Sequence, residues 1–282
     1  MRWPDRPQAT VTQALTACTA GMQDHVEKQR LEGLLTQMQI AEASYLRCVG
    51  GTDLHALNTS PDLLKGQQPK DKEALVRAYD QGLVGRKDGR ALYDSIMAAA
   101  PHGECPLCGT GEVDTLDHYM PKTVFPLCSI MPINLVPACM HCNHGKGAAL
   151  AGSPDTQPLH PYVDQLGYER WLVADVLPTI PASVRFRVQA RADWPPSLAA
   201  RVRHHFDSYN LSLRYGQKAG RHLAGSRRDH ARLLALGPDI LRHALEEDAE
   251  SWALTDPNAW ETALYFGLAS SEWYVNGGLL QV

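Results

Sequence analysis

Two pairs of cysteines, each with C-x-x-C spacing, constrain the fold of this chain more than any other feature. Cys105 and Cys108 form the first pair, and Cys139 and Cys142 form the second. Thiolates at this spacing can both face one ion, and two such turns complete a tetrahedron around zinc. Because protein ligands would fill all four positions, we expect a structural zinc site without an open position. One pair alone would leave a redox dithiol as the alternative, whereas two pairs favour zinc.

The remaining cysteines and the absence of long apolar runs indicate the compartment. Cys18, Cys48 and Cys128 have no partner spacing, so we expect them to be small, buried, apolar residues. An odd total of seven cysteines argues against a disulfide framework. No apolar run approaches the ~18 residues that indicate a membrane span, and the N-terminus carries charge and proline where a signal peptide would be apolar. The sequence therefore predicts a cytoplasmic protein without membrane contact.

A carboxylate and an imidazole stand next to each other between the two cysteine pairs, at Asp117 and His118. Adjacent side chains on a strand point to opposite faces, so we expect these two to have separate roles. Asp117 suits a hard divalent cation, and His118 suits a general base because it titrates near neutrality. Attack on a phosphodiester needs charge neutralisation, which a metal, a base and nearby lysines supply. The alternative is a zinc-dependent binding module without catalysis, which would need neither residue.

The order of short motifs from Cys105 to Gly147 resembles the HNH endonucleases with a ββα-metal fold. These motifs are C-x-x-C, then D-H-x-x-P-K from Asp117, then N-L-x-x-x-C-x-x-C-N-x-x-K from Asn134. The third signature position is Asn143, so the resemblance is to the H-N-N variant. His144, one residue later, is the alternative for that position.

The resemblance implies a role for each motif residue. Asp117 and Asn143 would hold one Mg²⁺ or Mn²⁺, and His118 would take a proton from the attacking water. Asn134 would hydrogen-bond the backbone and keep His118 aimed. The lysines of the motifs would contact phosphates; they are Lys122 and Lys146. His160, which follows the motifs closely, either folds back toward the metal or packs in the core, and we do not expect it to be a ligand.

From Leu159 onward the sequence also resembles the tails of free-standing bacterial HNH proteins in anti-phage defence, such as the nuclease subunits of Septu, Zorya or retron systems. This resemblance implies a toxic nuclease with a sensor or ATPase partner that restrains or directs it. For the HNH site itself we expect cleavage of DNA, by nicking or on both strands, with RNA as the alternative substrate.

The whole pattern predicts a mainly helical α+β fold, in which a zinc-stabilised ββα-metal HNH core separates N- and C-terminal helical regions. The predicted regions are 1–100, 101–150 and 151–282. Because residues 101–150 show few long apolar stripes, we expect that segment to depend on the ion. Apolar periodicity and turn residues predict helices over 10–50, 70–84, 89–100, 198–215, 239–254 and 257–274, strands over 171–176 and 184–190, a loop over 50–70, and an N-cap at Ser197.

Positive charge is concentrated in residues 201–232, although the chain as a whole has a formal net charge of −4. Such a stretch is typical of a face that follows nucleic-acid phosphates, and the alternative is an ordinary solvated helix face. Its cationic and titratable residues are Arg201, Arg203, His204, His205, Arg214, Lys218, Arg221, His222, Arg227, Arg228, His230 and Arg232.

Overall fold

The structure, a computed structural model, describes residues 3–50, 53–64, 68–164 and 166–281. Helices dominate it, and two small antiparallel sheets complete it, so the predicted mainly helical α+β class is confirmed. The chain divides into two compact units, Arg2–Gln165 and Leu166–Val282. Within the described ranges, no helix combines the length and the apolar character needed to cross a lipid bilayer.

The first unit begins with six helices, and the predicted helices over 10–50, 70–84 and 89–100 are confirmed. The predicted loop over 50–70 instead contains a 3-10 turn and a short helix, because Asp53 caps the turn through its side chain. The helices are α1 (Val11–Thr19), α2 (His25–Gly33), α3 (Leu35–Gly50), α4 (Pro61–Leu64), α5 (Pro69–Arg77) and α6 (Lys87–Ala98). A π-helical segment, Ala78–Leu83, continues α5, and 3-10 turns lie at Leu54–Thr59, Pro101–Gly103, Pro126–Cys128, Pro132–Asn134 and Pro154–Thr156.

A short hairpin and one further helix complete the first unit. Strands β1 (Thr115–His118) and β2 (Leu135–Ala138) pair antiparallel, and α7 (Met140–Lys146) follows β2 directly. The expectation that this segment lacks apolar support is wrong for its middle part. Residues between Leu116 and Val136 are buried in the same core as the N-terminal helices; they include Leu116, Phe125, Leu127, Ile130, Met131, Leu135 and Val136. The hairpin is therefore stabilised by hydrophobic burial as well as by any ion.

The second unit packs a two-stranded sheet against long helices. Strands β3 (Leu172–Leu177) and β4 (Ser183–Val188) pair antiparallel, close to the predicted ranges. In β4, Val184 and Phe186 are buried while Arg185 and Arg187 are exposed, which is the alternation of a strand with one covered face. The helices are α8 (Pro196–Ser208), α9 (Leu211–Leu236), α10 (Pro238–Thr255), α11 (Trp260–Ser270) and α12 (Glu272–Val275), with a final 3-10 turn at Gly278–Leu280.

Helix boundaries in this unit differ from three predictions. Ser197 is not the N-cap, because α8 already begins at Pro196, whose fixed φ suits the first helical position. The predicted helix over 198–215 is interrupted at Asn210, which adopts a left-handed φ of 51°. The helix predicted to open at Pro257 starts at Trp260, because Asn258 instead accepts hydrogen bonds from the start of β3.

Candidate functional site

The four paired cysteines come together in the first unit as a buried cluster. The Sγ atoms of Cys105, Cys108, Cys139 and Cys142 all lie within 4.8 Å of one another. Tetrahedral zinc with Zn–S bonds of about 2.3 Å separates its sulfurs by about 3.8 Å, and the Sγ atoms of Cys108 and Cys139 are 3.9 Å apart. The predicted four-cysteine group is therefore confirmed as a site that can hold a structural zinc ion.

Two glycines shape the first cysteine turn. The Gly109 amide donates to the Cys105 carbonyl at 2.7 Å, and its φ of 60° is one that a side chain disfavours. A Cβ on Gly111 would lie 2.7 Å from the Sγ of Cys139, so no side chain fits there. Sequence analysis did not single out Gly111, because its role depends on a cysteine far along the chain.

Asp117 and His118 end strand β1, where the register places them opposite Val136 and Leu135 of β2. Both are buried, with exposures of 4% and 9%. Because they are adjacent on a strand, their side chains leave it on opposite faces. The carboxylate of Asp117 and the imidazole of His118 therefore lie on opposite sides of β1, as the sequence predicted.

The His118 ring is held in one tautomer. Its Nε2 lies 2.8 Å from the carbonyl oxygen of Ser129, which can only accept, so Nε2 carries the proton and Nδ1 the lone pair. The ring of Tyr79 packs against it at an angle of 67° with centroids 4.4 Å apart. Burial lowers the pKa of His118 to about 3, against the Ser129 hydrogen bond and together with the charges of Lys122 and Lys146. The imidazole is thus neutral at physiological pH with its lone pair on Nδ1, and its pKa lies well below the near-neutral value expected from the sequence.

Asn134 is fully buried and joins the segments around His118. Its Oδ1 accepts the Met120 amide at 2.7 Å, and its Nδ2 donates to the carbonyls of Met120 and Cys128 at 3.0 Å each. Cys128 precedes Ser129, whose carbonyl orients His118. The side chain of Asn134 therefore fixes the segment that follows His118 in the chain. It also fixes the loop at Cys128, whose next residue holds the His118 ring.

Tyr45 of α3 and His160 extend this network into the core. The Tyr45 hydroxyl lies 3.3 Å from Oδ1 of Asn134 and 2.9 Å from Nε2 of His160. The Tyr162 amide donates to Nδ1 of His160, so the ring is engaged on both sides. His160 therefore packs in the core, which was one of the two alternatives left open by the sequence, while His144 is exposed on α7.

A second polar group faces Asp117 from α7. The Nζ of Lys146 lies 3.0 Å from Oδ2 and 3.1 Å from Oδ1 of Asp117, and it also donates to the carbonyl of His118. The Nδ2 of Asn143 lies 3.4 Å from the Oγ1 of Thr115, which shares a strand face with Asp117. Burial raises the pKa of Asp117, and the Lys146 ammonium opposes that shift. A carboxylate and an amide oxygen on one side are a donor set that suits Mg²⁺ or Mn²⁺.

Lys122 lies apart from Lys146, on the side of Tyr79. Its Nζ lies 2.6 Å from Oδ1 of Asp80 and 4.3 Å above the centroid of the Tyr79 ring. Both partners belong to the π-helical segment, a feature common near functional sites. Sequence analysis interpreted that segment as ordinary helix and missed Tyr79 and Asp80, since no local motif marks them.

The basic stretch 201–232 lies on α8 and α9 of the second unit. Arg201, His205 and His230 are buried, so they cannot belong to an exposed phosphate-binding face. Arg203, Lys218, Arg221, Arg228 and Arg232 are exposed. The structure thus reduces the predicted stretch to a smaller set of accessible cations.

Comparison with known proteins finds a relative of full length. The chain is 30% identical to protein Ea31 of Escherichia phage lambda over 292 residues, an alignment that covers 96% of this chain and 98% of that protein. No family model matches the chain. No solved structure matches it either.

Proposed function

We propose that this chain, which belongs to the family of the phage lambda protein Ea31, is a metal-dependent endonuclease of the HNH type. The observation that carries the proposal is the polar arrangement around β1. A buried carboxylate, Asp117, pairs with Lys146 of a helix that starts at the cysteine cluster, and Asn143 of that helix contacts Thr115 on the same strand. A neutral imidazole of fixed tautomer leaves the other side of the same strand.

The proposed chemistry is hydrolysis of a phosphodiester in DNA, with a structural zinc holding α7 in place. Asp117 and Asn143 would hold one Mg²⁺ or Mn²⁺, which when bound would neutralise negative charge on the phosphate. The Nδ1 of His118 would take a proton from water as its oxygen attacks phosphorus. The bond to the 3′ oxygen would break, and that oxygen would gain a proton from solvent, giving 5′-phosphate and 3′-hydroxyl ends.

Asn134 and the lysines would support this reaction without exchanging protons. Asn134 would keep His118 aimed by donating to the carbonyl of Cys128, the residue before Ser129, whose own carbonyl accepts Nε2–H. Lys146 balances the buried charge of Asp117, and its ammonium would turn to the phosphate once a divalent cation takes over that balance. Lys122 would contact phosphate after leaving Asp80.

Plasmid cleavage tests the proposal. Protein that retains zinc would be assayed with and without added Mg²⁺ or Mn²⁺, as wild type and as His118→Gln, whose amide can still donate to Ser129. A general base contributes about 10²–10⁴-fold, so we expect a loss of that size with zinc content unchanged. His25→Gln, at an exposed position on α2, is the matched control and should cleave like wild type. Cleavage by His118→Gln at the wild-type rate would exclude His118 as the base.

A second candidate function is a non-catalytic, zinc-dependent nucleic-acid-binding subunit. One observation favours it: both oxygens of Asp117 already lie within 3.1 Å of Lys146, and its side chain is 6% exposed. Absence of metal-dependent cleavage by wild type on both DNA and RNA, together with nucleic-acid binding, would favour this candidate.

A role in anti-phage defence, with a sensor or ATPase partner, stays a prediction. The relative comes from a phage, so the comparison gives that role no support. Copurification of the chain with products of neighbouring genes would test for such a partner.

A further inference from the structure

One face of α9 carries a row of cations along the second unit. Lys218, Arg221, Arg228 and Arg232 are separated by three, seven and four residues, spacings that return to the same side of an α-helix. All four are exposed. We call these four residues the α9 basic face. The side of α9 that faces the core is mainly apolar. Its buried residues are Leu211, Tyr215, Ala219, Leu223 and His230.

Three of these cations are not neutralised by neighbouring acids. Within the described part of the chain, Lys218, Arg221 and Arg228 make no ion pair. Arg232 lies 3.3 Å from Asp229, but both side chains are largely exposed, so that pair is weak. A row of exposed cations in which three of four have no acidic partner among the described residues favours an anionic ligand over an internal structural role.

The dimensions of the α9 basic face suit a nucleic-acid backbone. Fourteen residues separate Lys218 from Arg232, which at about 1.5 Å each is about 21 Å. One strand of DNA places a phosphate every 3.4 Å along the duplex axis, so a segment of about 21 Å contains roughly six phosphates. No aromatic side chain lies among these cations to stack on unpaired bases.

The middle of the α9 basic face has no side chain at Gly225, so a nucleic-acid backbone can approach the helix closely there. Gly225 is exposed between Arg221 and Arg228, and a Cβ built on it would have nothing within 4 Å. Glycine weakens a helix, and here no neighbouring group in the described structure requires its small size. A phosphate backbone lying across this position would make use of the space.

We propose that the α9 basic face binds the phosphate backbone of duplex DNA, without reading its sequence. The proposal rests on the proposed function only in taking DNA as the substrate of the site on β1 and α7. It adds a second contact, on the other compact unit, that would retain the substrate through charge.

The test compares two triple variants of the full chain that lose the same charge. Lys218→Gln, Arg221→Gln and Arg228→Gln together remove the unpaired cations of the face. Lys70→Gln, Lys72→Gln and Lys87→Gln together are the matched control, because these lysines are also exposed. Fluorescence anisotropy with a 30-base-pair duplex and with the corresponding single strand, without divalent metal, would give affinity from 0.1 to 1 M salt.

We expect the salt dependence of duplex binding to fall by about 2.7 in log–log slope, since each phosphate contact contributes about 0.9. If the two proteins bind duplex equally at 1 M salt, the affinity of the α9 variant at 0.1 M should be roughly 500-fold weaker than that of wild type. The control triple should keep the wild-type slope. An unchanged slope in the α9 variant, an equal fall in the control, or equal loss on the single strand would overturn the proposal.

Cleavage measured on the same proteins separates the two proposals. If wild type does not cleave but its duplex binding depends on the α9 basic face, the nuclease assignment fails and this inference stands. If wild type cleaves and the α9 variant binds duplex as tightly as wild type, the inference fails and the nuclease assignment stands.

Discussion

Removal of zinc should disorder α7 while leaving the helical core of its unit folded. The helix has only seven residues, and Cys142 is the only one of them that is buried. The hairpin that precedes it belongs to the large hydrophobic core, so it has support of its own. The perturbation should therefore be local, and it would reach the proposed site because α7 carries Asn143 and Lys146.

The free energy of folding of α7 without zinc can be approximated from the small size of this helix. Ordering seven backbone residues costs about 7–14 kcal/mol at roughly 1–2 kcal/mol each. Burial of one small side chain such as Cys142 returns about 1–2 kcal/mol. The cost of ordering the backbone therefore exceeds the gain from burial. Zinc binding in finger-type peptides contributes on the order of 10 kcal/mol, which is similar in size to that excess cost. Without the ion, α7 should therefore be largely unfolded.

Hydrogen exchange measured by mass spectrometry would follow this change. After treatment with a zinc-selective chelator, amides in Met140–Lys146 should exchange freely, while those in α3 should keep their protection. Cys142→Ser should behave like the chelated protein, and Cys128→Ser, at a buried cysteine outside the cluster, should keep both zinc and α7. Unchanged protection of α7 after proven loss of zinc would refute the reasoning.

Glycines in two helices should respond to alanine in opposite ways. Gly225→Ala should raise the free energy of unfolding by about 0.5–1 kcal/mol, and Gly267→Ala should lower it by about 1–3 kcal/mol because its Cβ would lie 2.4 Å from a strand carbonyl oxygen; urea denaturation showing the same sign for both would contradict this packing. Because burial lowers the pKa of His118 from 6.5 to about 3, its contribution to stability is complete above pH 6.5 and is lost at about 1.4 kcal/mol per pH unit as the pH falls toward 3. His118→Gln should flatten unfolding free energy against pH in that range, and an unchanged slope would argue against a buried neutral ring. Asp80→Asn should free Lys122 and raise duplex affinity by up to about fivefold, the effect of a surface ion pair. The same rise in an Asp80→Asn, Lys122→Gln double variant, whose net charge equals that of wild type, would show by anisotropy that Lys122 is not responsible.

Local spacing was sufficient to predict features whose atoms are close along the chain. Each C-x-x-C pair places two sulfurs on one turn, so the buried four-cysteine cluster was predictable before any fold was known. The strand period likewise predicted that the side chains of Asp117 and His118 leave β1 on opposite faces.

Helix ends were less predictable, because they depend on contacts outside the helix. Asn210 breaks a periodic segment by adopting a left-handed conformation. Asn258 delays α11 because its side chain bonds to strand β3, far earlier in the sequence. Periodicity reports which face of a helix is apolar, but it does not report such side-chain hydrogen bonds.

The sequence by itself determined the cysteine ligands, the adjacent carboxylate and imidazole, and the mainly helical class. Only the tertiary structure decided that Tyr79 covers His118 and that Ser129 selects its tautomer. The same is true of the hydrogen bond by which Asn134 holds the loop that contains Ser129. It also decided which cations of 201–232 are buried and which form the α9 basic face. The physical reason is that ligand spacing is fixed by short stretches of covalent chain, whereas these contacts join segments that only hydrophobic packing brings together.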